Sequence, residues 1–323
     1  MELQGGRFAV IGGAGFIGSH VVERLLEAGA AQVVVIDNFY RGTRANLEAV
    51  AEHRRVRLLE GDILDADWLA SSLESCQGAF HLAAAWLLEC LEKPRFAVEN
   101  NILGTYNVMQ ACCQAGVERV VFSSSASVYG DAVRVPMDEE HPYHNRTLYG
   151  ATKIAGEHLF RAYNQMFGLR YVGLRYMNVY GPRQDYRGAY TSVIMKILDR
   201  LDQGLPPVIY GDGSQTYDFV YVGDVARANL LAMTAAADDA CYNVGTGVGT
   251  SLRGLVEVIL EECDCALPIQ FEPGGQTFVT HRIGAVERAR RDLGFVAEVP
   301  LQEGVRRLIA WRRGDQEKAL VRA

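Results

Sequence analysis

The sequence predicts an α/β fold built on a doubly wound parallel sheet, with a smaller mixed α/β lobe beside it. Short apolar strands alternate with helical segments through the first half of the chain. A glycine-rich loop joins the first strand to the first helix, and small or polar residues follow the ends of later strands. Ligands of such sheets collect at the carboxyl ends of the strands, so these loops are the expected binding region.

Composition and charge narrow the classes of function. The 323 residues are enough for one large domain or two lobes. A formal net charge of -7 gives no basic surface for nucleic acid and argues against binding to an anionic membrane. The seven cysteines are scattered without a CxxC pair, which favours reduced thiols and no metal site. Because there is no signal-like start and no apolar run of membrane-spanning length, we expect a cytoplasmic protein.

The first strand, Arg7 to Ile11, leads directly into Gly12-Gly13-Ala14-Gly15-Phe16-Ile17-Gly18 and then into a helix through Leu26. The GxxGxxG spacing allows a tight turn and brings the backbone close to a pyrophosphate, which sits on the N-terminus of the helix. This stretch predicts a dinucleotide site.

The second strand, Gln32 to Ile36, ends in Asp37, nineteen residues after Gly18. A carboxylate at this point can accept hydrogen bonds from the adenosine ribose, and its charge repels a 2′-phosphate. NAD is therefore favoured over NADP, although Arg41 and Arg44 follow closely in the sequence.

The alternation of strands and helices continues along the chain. Strands are predicted at Val56 to Glu60, Gly78 to Leu82 and Arg119 to Phe122, with helices around Asp67 to Leu73 and from about Phe96 to Ala115. His81, at a strand end, is interpreted as a structural histidine.

Hydroxyl groups interrupt the apolar strand at Ser123-Ser124-Ser125, and a predicted helix from Leu148 to Phe167 follows. It carries Tyr149 and Lys153 four residues apart on one face. A lysine ammonium close to a phenol favours the ionised phenol, which predicts a pKa of Tyr149 nearer neutrality and a role as a base. The YxxxK spacing alone is common by chance, but its position after the glycine loop, Asp37 and the serines is specific.

Ten short motifs carry a family resemblance: GGAGFIG, IDN, GDILD (61 to 65), FHLAA (80 to 84), NNILGTYNV (100 to 108), VFSSSASVYG (121 to 130), YGATK, RYMNVYGPR (175 to 183), GDGSQTYDFVYVGDVA (211 to 226) and YNVGTG (242 to 247). With them the chain resembles, over nearly its whole length, the extended short-chain dehydrogenase/reductase family. The closest branch is that of the NAD-dependent nucleotide-sugar epimerases and dehydratases, of the UDP-glucose 4-epimerase type. A Rossmann-type sheet is thereby implied.

The resemblance implies residue roles. For NAD it implies Gly12, Gly15, Phe16, Ile17 and Gly18 at the pyrophosphate, Asp37 and Asn38 at the ribose, Asp62 and Ile63 at the adenine, and Leu82, Ala83, Ala84, Asn101, Ser123, Tyr149, Lys153 and Tyr176 along the rest of the cofactor. The implied catalytic residues are Ser125, Tyr149 and Lys153. The implied substrate-binding residues are Trp86, Ser125, Tyr149, Asn178, Arg183, Tyr217 and Arg282.

Two departures from the family pattern concern the substrate diphosphate, for which a UDP group is expected. Tyr217 stands where an arginine is common, and Gly274-Gly275 replaces a second one. A tyrosine donates one hydrogen bond but no charge. Arg183, Arg187 or Arg282 would have to compensate. Arg282 also falls near the position that limits the size of the sugar's C2 substituent.

For the reaction, the resemblance implies proton removal from the sugar 4-hydroxyl by Tyr149 and transfer of a hydride from C4 to NAD. A 4,6-dehydratase needs an Asp-Glu pair, and a decarboxylase a glutamate, where this chain has Ala126 and Ser127. This favours 4-epimerisation of a UDP-hexose. A dehydratase, a decarboxylase, a net 4-dehydrogenase or reductase, and a non-enzymatic NAD(H) sensor stay open as alternatives.

The predicted division is a cofactor domain, residues 1–177 with about 215–240, and a substrate lobe, about 178–214 with 241–323. A helix is predicted from Tyr190 to Asp202, and the stretch Tyr217 to Met233 is expected to return to the cofactor domain. The arginines at 306, 307, 312 and 313 are interpreted as a solvated helix face. The helices at 96–115 and 148–167 match those that pair in family dimers, which implies a homodimer.

Overall fold

The computed structural model describes residues 1–185, 192–274 and 279–322. Its main sheet has seven strands in the order β11-β6-β5-β4-β1-β2-β3, and every neighbouring pair is parallel. These strands are β1 (Arg7–Ile11), β2 (Gln32–Asp37), β3 (Val56–Glu60), β4 (Gly78–His81), β5 (Arg119–Ser125), β6 (Arg170–Tyr176) and β11 (Ala240–Val244). The predicted doubly wound parallel sheet is confirmed.

Eleven α-helices connect the strands in the described part of the chain. They are α1 (Phe16–Glu27), α2 (Ala66–Ser72), α3 (Leu87–Glu92), α4 (Pro94–Val98), α5 (Gly104–Ala115), α6 (Leu148–Phe167), α7 (Val193–Asp202), α8 (Val222–Thr234), α9 (Leu252–Glu262), α10 (Glu287–Leu293) and α11 (Leu301–Arg322). Local chemistry sets several of their ends. Thr147 caps α6 by accepting a hydrogen bond from the Gly150 amide, and Gly168 ends it in the left-handed conformation at φ 72°.

Apolar cores lie on both faces of the main sheet. On one face, α1, α8 and α10 bury side chains such as Leu25, Val225 and Leu293. On the other face, α2, α5 and α6 bury side chains such as Leu69 and Phe160. Strands covered on both faces need almost continuous apolar sequence, which explains why Val33, Val34 and Val35 all lack solvent exposure.

A third core lies away from the main sheet, among α7, α9 and α11. Beside it are three small sheets formed by β7 (Asn178–Tyr180) with β10 (Phe219–Tyr221), β8 (Val208–Tyr210) with β13 (Gln270–Glu272), and β9 (Thr216–Tyr217) between β12 (Thr250–Ser251) and β14 (His281–Arg282). These short strands bring residues from the last third of the chain alongside Tyr217.

The strand order creates a crevice between β1 and β4. From β1 the chain continues outward to β2 and β3 on one side of β1, and it then crosses back to β4 on the other side. This is the point where ligands bind in open parallel sheets. The carboxyl ends of the central strands here carry Asp37, His81, Ser125 and Tyr176.

Several predicted boundaries were wrong. The serines do not interrupt β5, which continues to Ser125 because it is paired with β6 along its whole length. The long helix predicted at 96–115 begins earlier, at Pro94, and contains a π-helical turn at Glu99–Leu103. The helix predicted from Tyr190 begins at Val193, because Ser192 has extended backbone and caps it by accepting a hydrogen bond from the Met195 amide; Tyr190 itself lies outside the described ranges.

The C-terminal arginines are also not a uniformly solvated face. Arg306 and Arg307 are exposed and pair with Glu303. Arg312, in contrast, is 4% exposed and donates to Asp199 at 2.5 Å and to Asp202 at 2.7 Å. The packing of α11 against α7 decides this difference, which the sequence pattern did not indicate.

Candidate active site

The glycine loop between β1 and α1 is fixed by close backbone contacts. Gly12 has φ +84°, and a Cβ at this residue would lie 2.6 Å from the Ala83 amide nitrogen. A Cβ at Gly18 would lie 2.8 Å from Gly13 Cα, so the start of α1 can approach the loop only without side chains. At Gly15 a Cβ would meet only the Gly12 carbonyl oxygen, at 3.1 Å, and the Gly15 amide donates to that same oxygen at 3.2 Å. The cradle fits a pyrophosphate.

Asp37, at the end of β2, is 7% exposed and holds the loops around it. Its carboxylate accepts hydrogen bonds from the Ala14 amide and the Phe39 amide, each at 2.9 Å. Burial raises the pKa of this carboxyl, and the two amides act against the shift. A carboxylate has further lone pairs, so both amide bonds leave capacity for ribose hydroxyls.

Asn38 and Asp62 are joined by a hydrogen bond of 2.9 Å from the Asn38 amide. Ile63 lines a small recess of about 110 Å³ together with Asp37 and Asn38. The two arginines near Asp37 both have acidic partners: Arg44 pairs with Glu60 at 2.7 Å, and Arg41 pairs with Asp185 at 3.4 Å. Because both guanidinium groups already pair with carboxylates within the protein, they support the preference for NAD over NADP, whose 2′-phosphate would need a cation.

Asn101 is placed beneath the pocket and does not face it. Its amide accepts a hydrogen bond from the Ala85 amide at 2.7 Å and donates to the Ala85 carbonyl and to Thr152 Oγ1. The π-helical turn puts this side chain between the end of β4 and α6. His81 is fully buried against Thr105 Oγ1 at 2.9 Å, as expected for a structural histidine.

Ser125, Tyr149 and Lys153 come together at the ends of β5 and α6. The Ser125 hydroxyl lies close enough to the Tyr149 phenol to lower the pKa of that phenol. Lys153 Nζ donates to the Ser123 carbonyl at 2.8 Å and lies 5.7 Å from the centre of the Tyr149 ring. Tyr176, next to Ser123, shares a 3.0 Å hydrogen bond with its hydroxyl and donates to Asn229.

The expected effect of Lys153 on Tyr149 was wrong. Burial raises the pKa of Tyr149 to about 12, whereas the Ser125 hydrogen bond and the charges of Arg282 and Arg41 lower it by less. Burial also lowers the pKa of Lys153 to about 8. The Lys153 ammonium is hydrogen-bonded to the Ser123 carbonyl. In the protein by itself, burial raises the pKa of Tyr149 by more than any effect of the Lys153 charge lowers it.

Of the predicted substrate residues, Arg183 and Tyr217 are already bonded within the protein. Arg183 forms an ion pair with Glu23 on α1, while its buried Nη1 has no hydrogen-bond acceptor among the described residues. The Tyr217 hydroxyl donates to the Val279 carbonyl at 2.8 Å. Arg187 and Gly275 lie outside the described residues.

Asn178, Arg282 and Trp86 are differently placed. The buried Asn178 Nδ2 and Arg282 Nε have no hydrogen-bond acceptor in the described part of the chain. Arg282 lies beside Tyr217 in the register of β14 with β9. Trp86 lies at the rim, with the Arg41 guanidinium 4.6 Å from its ring centre.

A cleft of about 890 Å³ runs from the glycine loop past Trp86 to Tyr149 and Lys153. Arg183 also lines this cleft, whereas Asn178, Tyr217 and Arg282 are not among its lining residues. The cleft is also lined by residues that the sequence reasoning missed: Tyr40, Arg41, Thr43, Asn46, Ser124, Gln184, Asp185 and Trp311. Trp311 belongs to none of the sequence motifs. Its aromatic side chain among the arginines of the C-terminal segment was the one feature that could have indicated a place in the cleft. In the described residues, no group of three or more His, Cys, Asp or Glu side chains could hold a metal ion.

Comparisons with known proteins agree with the family resemblance of the sequence motifs. The family model of the NAD dependent epimerase/dehydratase family matches residues 8–245. The chain belongs to this family. It is 36% identical over 315 residues to a putative UDP-glucose 4-epimerase of Methanocaldococcus jannaschii, with 95% of this chain and 98% of that protein covered.

Two solved structures are similar throughout. A UDP-N-acetylglucosamine 4-epimerase of Methanobrevibacter ruminantium, in complex with UDP-N-acetylmuramic acid, superposes with a TM-score of 0.91 at 31% identity, covering 97% of this chain and 99% of that one. A UDP-glucose 4-epimerase of Thermus thermophilus, in complex with NAD, superposes with a TM-score of 0.84 at 35% identity, covering 95% and 99%. The predicted family, fold class, enzyme class and cofactor are confirmed. No helix in the described residues is long and apolar enough to cross a membrane.

Proposed function

We propose that this member of the family is a nucleotide-sugar 4-epimerase that acts on a UDP-hexose and uses NAD without net consumption. The observation that carries the proposal is the assembly of Ser125, Tyr149 and Lys153 at the end of the cleft, with no acidic residue in the turn that follows Ser125. That turn holds Ala126 and Ser127, both buried. Neither side chain can move protons at C5 and C6 of a sugar, which disfavours a dehydratase.

The proposed chemistry begins with Tyr149 taking the proton of the sugar 4-hydroxyl while Ser125, beside the phenol, orients that hydroxyl. Bound NAD would accept the hydride from C4, and the NADH so formed would return it to the other face of the 4-keto sugar once the sugar has turned, while Tyr149 gives its proton back to the 4-oxygen. Lys153 holds a positive charge below a pH of about 8, since its pKa lies there. The high pKa of Tyr149 in the protein alone requires positive charge near the phenol, which Arg282 and Arg41 provide in part.

The substrate diphosphate needs a cation that is not already neutralised. Arg183 is paired with Glu23, and Arg41 is paired with Asp185. Arg282 makes no ion pair with a carboxylate of the described residues, and its buried Nε lacks an acceptor. We therefore propose Arg282 as the residue that meets the diphosphate in place of the usual arginine at Tyr217. The unpaired amide nitrogen of Asn178 supplies a second donor.

The test is incubation of the NAD-loaded protein with UDP-glucose, UDP-N-acetylglucosamine, UDP-glucuronate, and GDP- and dTDP-sugars, followed by NMR of the sugar. We expect a C4 epimer without added NADH. Loss of water, loss of CO₂ or stoichiometric formation of NADH would assign one of the alternative reactions. Binding of NAD without turnover of any sugar would favour the non-enzymatic sensor.

We also propose that the protein is a homodimer paired through α5 and α6. Apolar side chains are exposed on and beside these helices, including Leu103 at 49% and Phe167 at 60%. Large apolar side chains exposed on two adjacent helices favour association. Leu103→Glu should lower the mass measured by light scattering to that of a monomer. Val296→Glu is the matched control, since Val296 is equally exposed at 48% elsewhere. A wild-type protein that is monomeric at micromolar concentration would contradict the proposal.

A further inference from the structure

A buried ion pair lies one helical turn beyond Lys153. Glu157 on α6 and Arg175 on β6 are each 5% exposed in their side chains. Arg175 Nη2 donates to Glu157 Oε2 at 2.7 Å, and Arg175 Nε donates to Glu157 Oε1 at 2.9 Å. The contact is therefore bidentate, which is the strong and geometrically specific form of this pair.

The remaining hydrogen-bonding capacity of the pair is used by neighbouring segments. Ser124 donates to Glu157 Oε1 at 2.5 Å, and Tyr143 donates to Glu157 Oε2 at 2.9 Å. Arg175 Nη1 donates to the Tyr129 hydroxyl and to the Glu139 carbonyl, both at 2.9 Å. A buried pair satisfied in this way has one stable arrangement.

The pair connects directly to the proposed catalytic residues. Ser124 and Arg175 are register partners in β5 and β6. Ser123, the residue before Ser124, accepts the hydrogen bond from Lys153. Helix α6 is thus tied to consecutive residues of β5 by two side chains on one face, Lys153 and Glu157.

Charge is the second connection between the Glu157–Arg175 pair and Lys153. Several ionisable groups surround Lys153 and the pair: His81 on β4, Cys90 on α3, Tyr149 on α6, Tyr143 and Tyr129 on the segment after β5, and Cys241 on β11. Burial raises the pKa of the Cys90 thiol to about 11, so it is neutral at physiological pH. Burial lowers the pKa of His81 to about 3, so it too is neutral.

Glu157, in contrast, is charged. Burial alone would raise the pKa of this carboxyl, but the hydrogen bonds and charge of Arg175 outweigh burial and lower it. Among the described residues that influence Lys153, Glu157 is therefore the one with a full negative charge near neutrality. It opposes the desolvation of the ammonium.

We propose that Glu157, locked by Arg175, is a positioning residue that fixes Lys153 on β5 and keeps its side chain protonated. Lys153 touches cofactor and phenol in the proposed function, whereas Glu157 acts only through Lys153. The inference rests on the proposed function for its meaning in turnover, but the protonation of Lys153 is measurable without any turnover.

The measurement is an NMR pH titration of protein labelled with ¹³C at the lysine Cε. The chain has only four lysines, and the signal absent in Lys153→Arg identifies Lys153. In the NAD-loaded protein, Glu157→Gln should lower the titration midpoint of Lys153 by about one pH unit, because the amide keeps the shape but removes the charge. The alkaline limb of the pH profile of kcat should move in the same direction. Glu157→Asp, which keeps the charge, should restore the midpoint.

Breaking a buried pair can prevent folding, so a second variant keeps the test decisive. Glu157→Gln with Arg175→Met removes both charges, and such neutral replacements are often tolerated. It should still lower the midpoint of Lys153, but by less than Glu157→Gln alone, because a neighbouring cation is lost as well. Asp202→Asn is the control, because it removes one of the two carboxylates that pair with the buried Arg312 and should leave Lys153 unchanged.

An unchanged Lys153 midpoint in Glu157→Gln and in the double variant would overturn the inference, and the ion pair would then have a purely structural role. If no sugar is epimerised by the wild type, the proposed function fails while the titration still decides the role of Glu157. A lowered midpoint together with an unshifted kcat profile would also overturn the proposed role in turnover.

Discussion

Replacement of Gly12 by alanine tests whether the cofactor cradle depends on backbone contact. Gly12 has φ +84°, in the left-handed region, where an L-residue costs about 1–2 kcal/mol. Its Cβ would also lie 2.6 Å from the Ala83 amide nitrogen and 2.9 Å from Ala83 Cα. Overpacking of this kind costs about 1–3 kcal/mol, because backbone on both sides must move.

Alanine also restricts the unfolded chain more than glycine does, which stabilises the folded state by about 0.4–1 kcal/mol. In total we expect Gly12→Ala to lower the free energy of unfolding by about 2–4 kcal/mol. NAD affinity should fall as well, since the loop that approaches the pyrophosphate is displaced. Urea unfolding followed by circular dichroism, with and without NAD, gives the first quantity, and calorimetric titration with NAD gives the second.

Gly116→Ala is the matched control. Gly116 has a similar φ of +71°, yet its Cβ would meet no described atom within 4 Å. This variant should lose about 1 kcal/mol or less and bind NAD normally. Equal losses of stability for the two variants would refute the contact argument, and so would unchanged NAD affinity in Gly12→Ala.

Three further predictions concern the site. Tyr149→Phe should bind NAD normally but lower kcat by about 10²- to 10⁴-fold, and near wild-type turnover would exclude Tyr149 as the base. Arg282→Gln should raise KM for the UDP-sugar about 10- to 100-fold, with partial recovery in Arg282→Lys; an unchanged KM would exclude contact with the diphosphate. Burial lowers the pKa of Lys153 to about 8, so above that pH, up to its ordinary value, the unfolded chain binds more protons and stability rises with pH. Between pH 7 and about 9.5, the free energy of unfolding of the wild type should rise relative to that of Lys153→Met, and parallel curves would contradict the buried ammonium.

Much of the site could be predicted because its chemistry is local in sequence. The glycine loop and the Tyr149 and Lys153 pair are each set by a few neighbouring residues in a strand-turn-helix or on one helix face. Their spacing is therefore visible without the fold. The division into two lobes and the individual residue roles stay predictions.

Tertiary structure alone decided the electrostatics. The pKa of Tyr149 depends on burial by the whole cleft, so a helical spacing to Lys153 could not give its direction. Arg183 and Tyr217 have partners that are distant in sequence, Glu23 and Val279, and no local pattern indicates such pairings.

The sequence by itself determined the fold class, the cofactor and the order of the proposed reacting groups, because period and spacing follow from backbone geometry. Only the folded chain determined which charges are paired and which side chains pack around the proposed reacting groups. Glu157 and Arg175 are 18 residues apart and meet only because α6 packs on β6. Desolvation and ion pairing depend on every segment that surrounds a group, and this information exists only once the segments are packed.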